Sequence, residues 1–423
     1  MVGLLTTKPP NHPTTHMLTI LHHAAQLVGA TSSRECSPLS NGSLLIRDGI
    51  IVWAGPAAEM PAVPENERDI TSIDVRGKVV LSGFIDSHTH LLFAGSRVDE
   101  FEQRLRGVSY AEITARGGGI LSTVQHVRQA SKEELKALAR PRLRRMLQAG
   151  VTTVEVKSGY GLTPADEIKC LEAIAELNAE GPWELVPTFL GAHAVPPEYR
   201  TDREGYVRSL CEAMLPEVAR QGLAEFCDVF CENGVFSVDE SRRILRRARD
   251  LGLRLKLHAD ELSPLGGAEL AAEVGAVSAD HLLCISDKGI DALAASGTVA
   301  TLLPGTSFFL GVDYAPARRL IERGVAVALA SDCNPGTCMT ENLPLIGSMA
   351  CTQMGMSPGE VVTALTQHAA AALDRRDRLG SLAPGKQGDV IVCNVPDYRE
   401  IFYHFGINHV ECVIKRGRVV HTA

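Results

Sequence analysis

The 423-residue chain has no unbroken apolar run of the roughly 18 residues that mark a membrane-spanning helix, so no membrane partner is expected. It has no excess of basic charge: 42 Lys and Arg face 50 Asp and Glu, a formal net charge of −8. That balance argues against bulk binding to nucleic acid or an anionic membrane. An anionic small molecule would have to be held by particular cations, not by the overall field. It has no paired cysteine framework either. The 11 cysteines are an odd, scattered set, which points to reduced thiols and a cytoplasmic protein. The N-terminal MVGLLTTKPPNHPTTH has no apolar signal core. Pro9, Pro10 and Pro13 predict a disordered tail over 1–16. Low-complexity segments and long repeats are absent. So is a phosphate loop: Gly117-Gly118-Gly119 has neither GxGxxG spacing nor a Walker lysine, and reads as a flexible loop.

What is present is apolar substance, 45% of the residues, enough for a sizeable core. SLLIRDGIIVWAG (43–55) and VECVIKRGRVVHT (410–422) read as hairpins turning at Asp48-Gly49 and Arg416-Gly417, dipeptides that tolerate positive φ. GDVIVCNV (388–395) is a further strand. Between the ends, short β-branched runs alternate with helical segments. The strands fall at 79–86, 151–156, 184–189, 224–230, 253–258, 276–281, 298–303 and 325–331. They suit a parallel sheet covered on both faces. The helices open on caps or prolines and most close on glycine. In 131–150, Ser131 and Glu134 have capping-box spacing, and Pro141 predicts a kink or a split. Eight strands with helical crossovers predict a (β/α)8 TIM barrel. An open doubly wound sheet is the competitor, but it favours a glycine-rich loop after the first strand, where this chain has Ser87-His88-Thr89-His90.

A barrel gathers the carboxyl ends of its strands on one face, where the βα loops build the site. Polar residues fall at those ends. His88 and His90 follow the first strand, Tyr160 the second and His193 the third. His258 ends the fifth and His281 the sixth, and Asp332 follows the eighth with Asn334, Gly336 and Thr337 behind it. His-x-His in an extended segment sends both rings to one side, so one ion can take both. Neutral imidazoles and a carboxylate suit Zn2+ or Fe2+. His258 and Asp332 complete the set His88, His90, His258, Asp332. A metal in such a site lowers the pKa of a water from 15.7 to ~7. The competing readings are a polar turn for His88 and His90, a core histidine for His258 and a helix cap for Asp332. None of these explains the recurrence at strand ends. A carboxylated lysine after the fourth strand would serve a second ion, but that strand runs into Cys231-Glu232-Asn233-Gly234. Lys157, after the second strand, reads as a surface or substrate-rim lysine. Cys333 and Cys338 offer a thiolate ligand but, with four protein ligands already in the set, read rather as small apolar fillers. The expectation is one Zn2+ or Fe ion per chain.

His88-Thr89-His90 after GFID, HADE at 258–261 and SDCNPGT at 331–337 together resemble the amidohydrolase superfamily. More narrowly, EVKSGYGL (155–162), PTFLGAHAVPPEY (187–199) and SDCNPGT resemble the imidazolonepropionase family of histidine breakdown, over nearly the whole chain from about residue 40. The resemblance implies a small β-sandwich domain from both chain ends, over 17–78 and 380–423, beside a metal-dependent barrel over 79–379. It implies a homodimer. It also implies an anionic small-molecule substrate, 4-imidazolone-5-propanoate, opened at its cyclic amide C–N bond to N-formimidoyl-L-glutamate.

Site residues follow from the same resemblance. Arg97, whose fork suits a carboxylate, Tyr160, His193, Glu261, Asn334, Gly336 and Thr337 become substrate contacts. Glu261 is also a natural general base or acid beside a metal water, or a first-turn helix acid. His281 either orients the water and the developing oxyanion or only supports a ligand. Asp332 is a candidate proton acceptor as well as a ligand. A purine or pyrimidine deaminase on the same barrel and a non-catalytic relative are the rival functions. PTFLGAHAVPPEY speaks against the first and the full ligand set against the second.

Overall fold

The computed structural model describes residues 17–29, 37–63, 67, 69–108, 112–113 and 117–423. The tail expected over 1–16 lies outside them. Both terminal hairpins form where their turns need left-handed backbone: Asp48 and Gly49 have φ of 51° and 81°, Arg416 and Gly417 48° and 74°. The strands are β1 (Met17–Val28), β2 (Leu39–Arg47), β3 (Ile50–Pro56), β4 (Asp69–Asp74), β5 (Val79–Ser82), β6 (Phe84–Asp86), β7 (Val151–Lys157) and β8 (Glu184–Ala192). There follow β9 (Phe226–Cys231), β10 (Arg254–Ala259), β11 (Ser278–His281), β12 (Val299–Leu302), β13 (Val327–Leu329), β14 (Val390–Cys393), β15 (Val410–Lys415) and β16 (Arg418–Thr422).

Two eight-stranded sheets result. One is mixed and drawn from both chain ends, in the order β16-β15-β14-β5-β1-β2-β3, with β4 branching from β1. The branch lies at a bulge in β1: Met17–His22 pairs with β4, and Gln26–Val28 with β5. The other runs β6 through β13 in chain order, all parallel, with helices packed outside it. Ile85, Val186, Phe226, Val299 and Ala328 plug its floor against the helical segment around Ala369 to Leu373.

The stretch 79–86, expected as one strand, is two. Gly83 N donates to Asp389 O at 2.9 Å in the mixed sheet, and Phe84 N donates to Gly150 O at 2.9 Å in the barrel. The chain changes sheet at that glycine, where a Cβ would stand 2.5 Å from the Thr152 side chain. β5 and β14 form the common wall. Val80, Val390 and Val392 face the core of the mixed sheet, while Val79, Leu81, Ile391 and Cys393 face the barrel helices, as period-two alternation requires.

The expected split at Pro141 does not occur. One helix, Lys132–Gln148, runs through it behind the predicted Ser131–Glu134 capping box. Pro141 and Ala137 lie on the exposed side, so water can serve the carbonyl that proline leaves free. Leu135, Ala139, Leu143 and Met146 hold the other side in the core.

The barrel closes without a ladder between its first and last strands. β6 and β13 do not pair directly. Instead Thr89 bridges Cys333 just past the strands: His90 N donates to Cys333 O and Asp332 N to His88 O, each at 3.0 Å. Asp86 Oδ1 accepts from Ser331 N at 3.0 Å.

At the opposite mouth, Glu184 ties the two sheets together. It bonds Arg378 and lies 3.4 Å from Arg375 Nε and 3.6 Å from Lys415 Nζ. Burial pushes its carboxyl up, but the Arg378 hydrogen bond and the neighbouring cations outweigh burial and bring it to about 2. A depressed carboxylate stabilises the fold fully above its unfolded value near 4.5 and loses that contribution as pH falls toward about 2. Glu184→Gln is therefore expected to cost about 3 kcal/mol at neutral pH. It should also flatten the acid limb of stability in that window. Urea midpoints measured across the window check both.

Candidate active site

The histidine pair sits as period-two alternation predicts. His88 Nε2 and His90 Nε2 lie 3.6 and 3.5 Å from Asp332 Oδ1. His258 Nε2 is 3.4 Å from His90 Nε2. Two groups of ligand-type atoms gather here, His88 with His90 and Asp332, and His88 with His258 and His281. All of these side chains are buried. Burial first, then the neighbouring cations and imidazoles, hold His88 and His90 well below the ordinary imidazole value, so they are neutral. His258 is pushed down by burial, but Asp228 outweighs burial and raises it.

A carboxylate fixes the tautomer of His88. His88 Nδ1 donates to Asp280 Oδ2 at 2.6 Å, which leaves Nε2 unprotonated and, among the described residues, without a hydrogen-bond partner. His258 Nδ1 lies 3.0 Å from Asp228 Oδ2, a close charge contact. Imidazoles backed by carboxylates in this way are typical metal ligands. The residues fit a divalent ion. Ligand atoms around a tetrahedral ion with ~2.0–2.1 Å bonds stand about 3.4 Å apart, close to the separations here.

Glu261 and His281 face this cluster. His281 Nδ1 is 3.5 Å from Glu261 Oε1. Burial pushes Glu261 up to about 8 and Asp332 up to about 6. Asp332 Oδ2 accepts from Thr306 Oγ1 at 2.6 Å. Asp332, His281 and Asp260 all take left-handed φ, of 53°, 78° and 48°, a backbone choice that concentrates at functional sites.

Tyr160 and His193 come together here as well. His193 stacks on His90 with centroids 4.8 Å apart and 19° between planes, and Tyr160 lies 5.3 Å from His193. Burial brings His193 down to about 3, and its Nδ1 bonds Gly159 O at 2.9 Å. Buried Glu167 shapes that loop by accepting from Gly159 N, Gly161 N and Leu162 N. Arg97 caps the helix Val98–Leu105, and its Nε donates to Glu100 Oε2 at 2.8 Å. Its guanidinium lies against Gly336, where a Cβ would stand 2.0 Å from Nη1. Arg104 Nη2 donates to Gly336 O at 3.0 Å. Asn334 uses its amide inside the turn: Oδ1 accepts from Gly336 N and Thr337 N, and Nδ2 donates to Asp332 O and Thr337 Oγ1. Cys333 and Cys338 are buried, and burial pushes both thiols well up, as packing groups.

Sequence reasoning missed the layer beneath. Lys157 is not a surface or rim residue. It is fully buried and pairs with Glu155 Oε1 at 2.7 Å and Asp228 Oδ2 at 2.8 Å. The reason is register: alternate residues of β7 point into the barrel, and Lys157 follows Glu155 by two. Asp228, Lys256 and Asp280 are likewise inward on β9, β10 and β11. Glu232, after β9, accepts from Leu262 N at 2.8 Å and bonds Ser263, holding the loop that carries Glu261. The available signal was charged residues at period two inside strands otherwise apolar.

A parallel barrel with histidines and a carboxylate at its strand ends defines an amidohydrolase, and the amidohydrolase family model matches residues 79–420. Members of that family depend on a bound metal. The chain is 52% identical to an imidazolonepropionase of Porphyromonas gingivalis over 381 residues, 90% of this chain and 89% of the relative. It is 52% identical to that of Geobacillus kaustophilus over 398 residues, 94% of each. The chain belongs to the imidazolonepropionase family. In fold it also matches a 5-methylcytosine deaminase of Klebsiella pneumoniae, with a TM-score of 0.73, 17% identity and coverage of 96% and 98% of the two chains.

Proposed function

We propose that the chain hydrolyses the cyclic amide C–N bond of 4-imidazolone-5-propanoate, giving N-formimidoyl-L-glutamate in L-histidine degradation. The observation that carries this is the 52% identity to an imidazolonepropionase over 90% of the chain. The deaminase likeness, at 17% identity, concerns the fold alone.

In this reading His88, His90, His258 and Asp332 hold one Zn2+ or Fe ion, which when bound polarises the scissile carbonyl and makes hydroxide available at neutral pH. Among the described residues, four buried carboxylates, Glu155, Asp228, Asp280 and Asp332, lie around the histidines with two buried lysines, Lys157 and Lys256, an acidic surrounding that suits a cation. Arg97 binds the propionate, its guanidinium held against the Gly336 turn. Tyr160 and His193 flank the ring, and the backbone of 334–337 closes on the carboxylate end. In the reaction the carbonyl carbon gains the water oxygen, the C–N bond breaks, and the ring nitrogen takes a proton. Asp332 accepts a proton from the attacking water, Glu261 delivers one to the leaving nitrogen, and His281 steadies Glu261.

A cytoplasmic home accords with the ten described cysteines, all unpaired. A homodimer accords with Tyr403 and Phe405, which are 85% and 69% exposed side by side. No helix among the described residues is long and apolar enough to cross a membrane.

The test is ring opening, followed as loss of imidazolone ultraviolet absorbance, alongside a metal count on the purified protein. One ion per chain and activity abolished by chelator and restored by Zn2+ or Fe2+ are expected. Metal-free protein with full activity, or ammonia released from guanine or cytosine in place of ring opening, refutes the proposal.

A further inference from the structure

Lys157 touches no ligand atom, yet its surroundings connect it to most of the cluster. Its ammonium lies 2.7 Å from Glu155 Oε1, 2.8 Å from Asp228 Oδ2 and 4.0 Å from Asp280 Oδ2. Each of these three carboxylates does a second task. Asp280 accepts from His88 Nδ1 at 2.6 Å. Asp228 faces His258 Nδ1 at 3.0 Å and accepts from His258 N at 3.2 Å. Glu155 accepts from Thr89 N at 3.1 Å and, through its carbonyl, from Thr89 Oγ1 at 2.6 Å. Thr89 is the residue between His88 and His90. One cation on β7 thus spaces the supports of histidines on β10 and beyond β6, on different sides of the barrel.

Without that cation, three anions would crowd a site from which water is excluded. Like charges there repel far more strongly than in solvent, and the carboxylates would separate or turn away. Lys256 does not replace it. Its ammonium is 3.7 Å from Asp280 but is committed to Ser278 Oγ at 2.8 Å and to the carbonyls of Ser87 and Ala372.

We propose that Lys157 is a positioning residue for the metal centre. It gathers Glu155, Asp228 and Asp280 so that they aim His88 and His258 inward, and metal affinity depends on it although it contacts neither metal ligands nor substrate. This rests on the ligand set given under Proposed function.

The experiment is chelator competition for Zn2+ on full-length Lys157→Met, which keeps length and bulk but removes the charge. Loss of a supporting group of this kind weakens metal binding by about 10–100-fold, and that is the expected result. The visible spectrum of the Co2+-loaded variant should change. At saturating metal, KM for the imidazolone should match wild type. The double variant Glu155→Gln/Lys157→Met keeps the cluster charge of the wild type, and its affinity, compared with that of Glu155→Gln, covers the case in which the single variant does not fold. An unchanged affinity and Co2+ spectrum with only a lowered melting temperature overturns the proposal, leaving Lys157 a stabilising residue. A wild-type chain that binds no metal defeats the ligand assignment itself and is told apart in the same titration.

Discussion

Asp332→Asn is expected to leave a folded protein with neither metal nor ring-opening activity. The carboxylate sits where its charge cannot be replaced: Oδ1 is 3.6 Å from His88 Nε2 and 3.5 Å from His90 Nε2, and Oδ2 accepts from Thr306 Oγ1 at 2.6 Å. An asparagine fills the same space and its oxygen can still accept from Thr306. What goes is one negative charge in a dry pocket, where charge attracts a cation most strongly. The substitution also removes the group proposed to accept the proton of the attacking water. Losing a ligand and a base together should lower kcat/KM by more than the ~10⁴-fold upper range of an acid–base group alone. Elemental analysis beside the absorbance assay checks this. Metal retained at one per chain with near-wild-type turnover would remove Asp332 from both roles.

Glu261→Gln should do the opposite to metal and nearly as much to rate. Glu261 lies outside both ligand groups, so metal content should stay at the wild-type level. The carboxyl faces His281 at 3.5 Å, and an amide in its place cannot pass on a proton. A fall in kcat of about 10²–10⁴-fold is expected. Steady-state kinetics separates the two roles assigned to this residue. A rise in KM with kcat unchanged would mean that Glu261 only binds substrate.

Much of this was legible in the sequence for physical reasons. Asp48-Gly49 and Arg416-Gly417 gave away their hairpins because few residues accept positive φ. His88 and His90 were readable as a pair because alternation in an extended chain leaves them little choice. The layer beneath was not readable in the same way. In VTTVEVK, Val154 and Val156 join the apolar cluster with the barrel helices, and Glu155 and Lys157 are buried on the other face. A reader expecting apolar interiors assigns those charges to the surface. Only pairing partners on other strands, Asp228 and Asp280, make their burial tolerable, and such partners are far apart in sequence. His281 was placed at a strand end, but its positive φ takes it off the alternation, so its contact with Glu261 had no sequence signal. Gly83 hid a change of sheet inside what looked like one strand, because a glycine between apolar residues reads as continuity until Thr152 is known to press on it.

The bridge between Thr89 and Cys333 has a consequence for how the cylinder stays round. Its first and last staves meet through the peptides that carry His88, His90 and Asp332, not through their own ladders. Whatever is gripped from both sides at that point works as a clasp on a bracelet. A shift of either peptide would move the seam and the side chains it carries together.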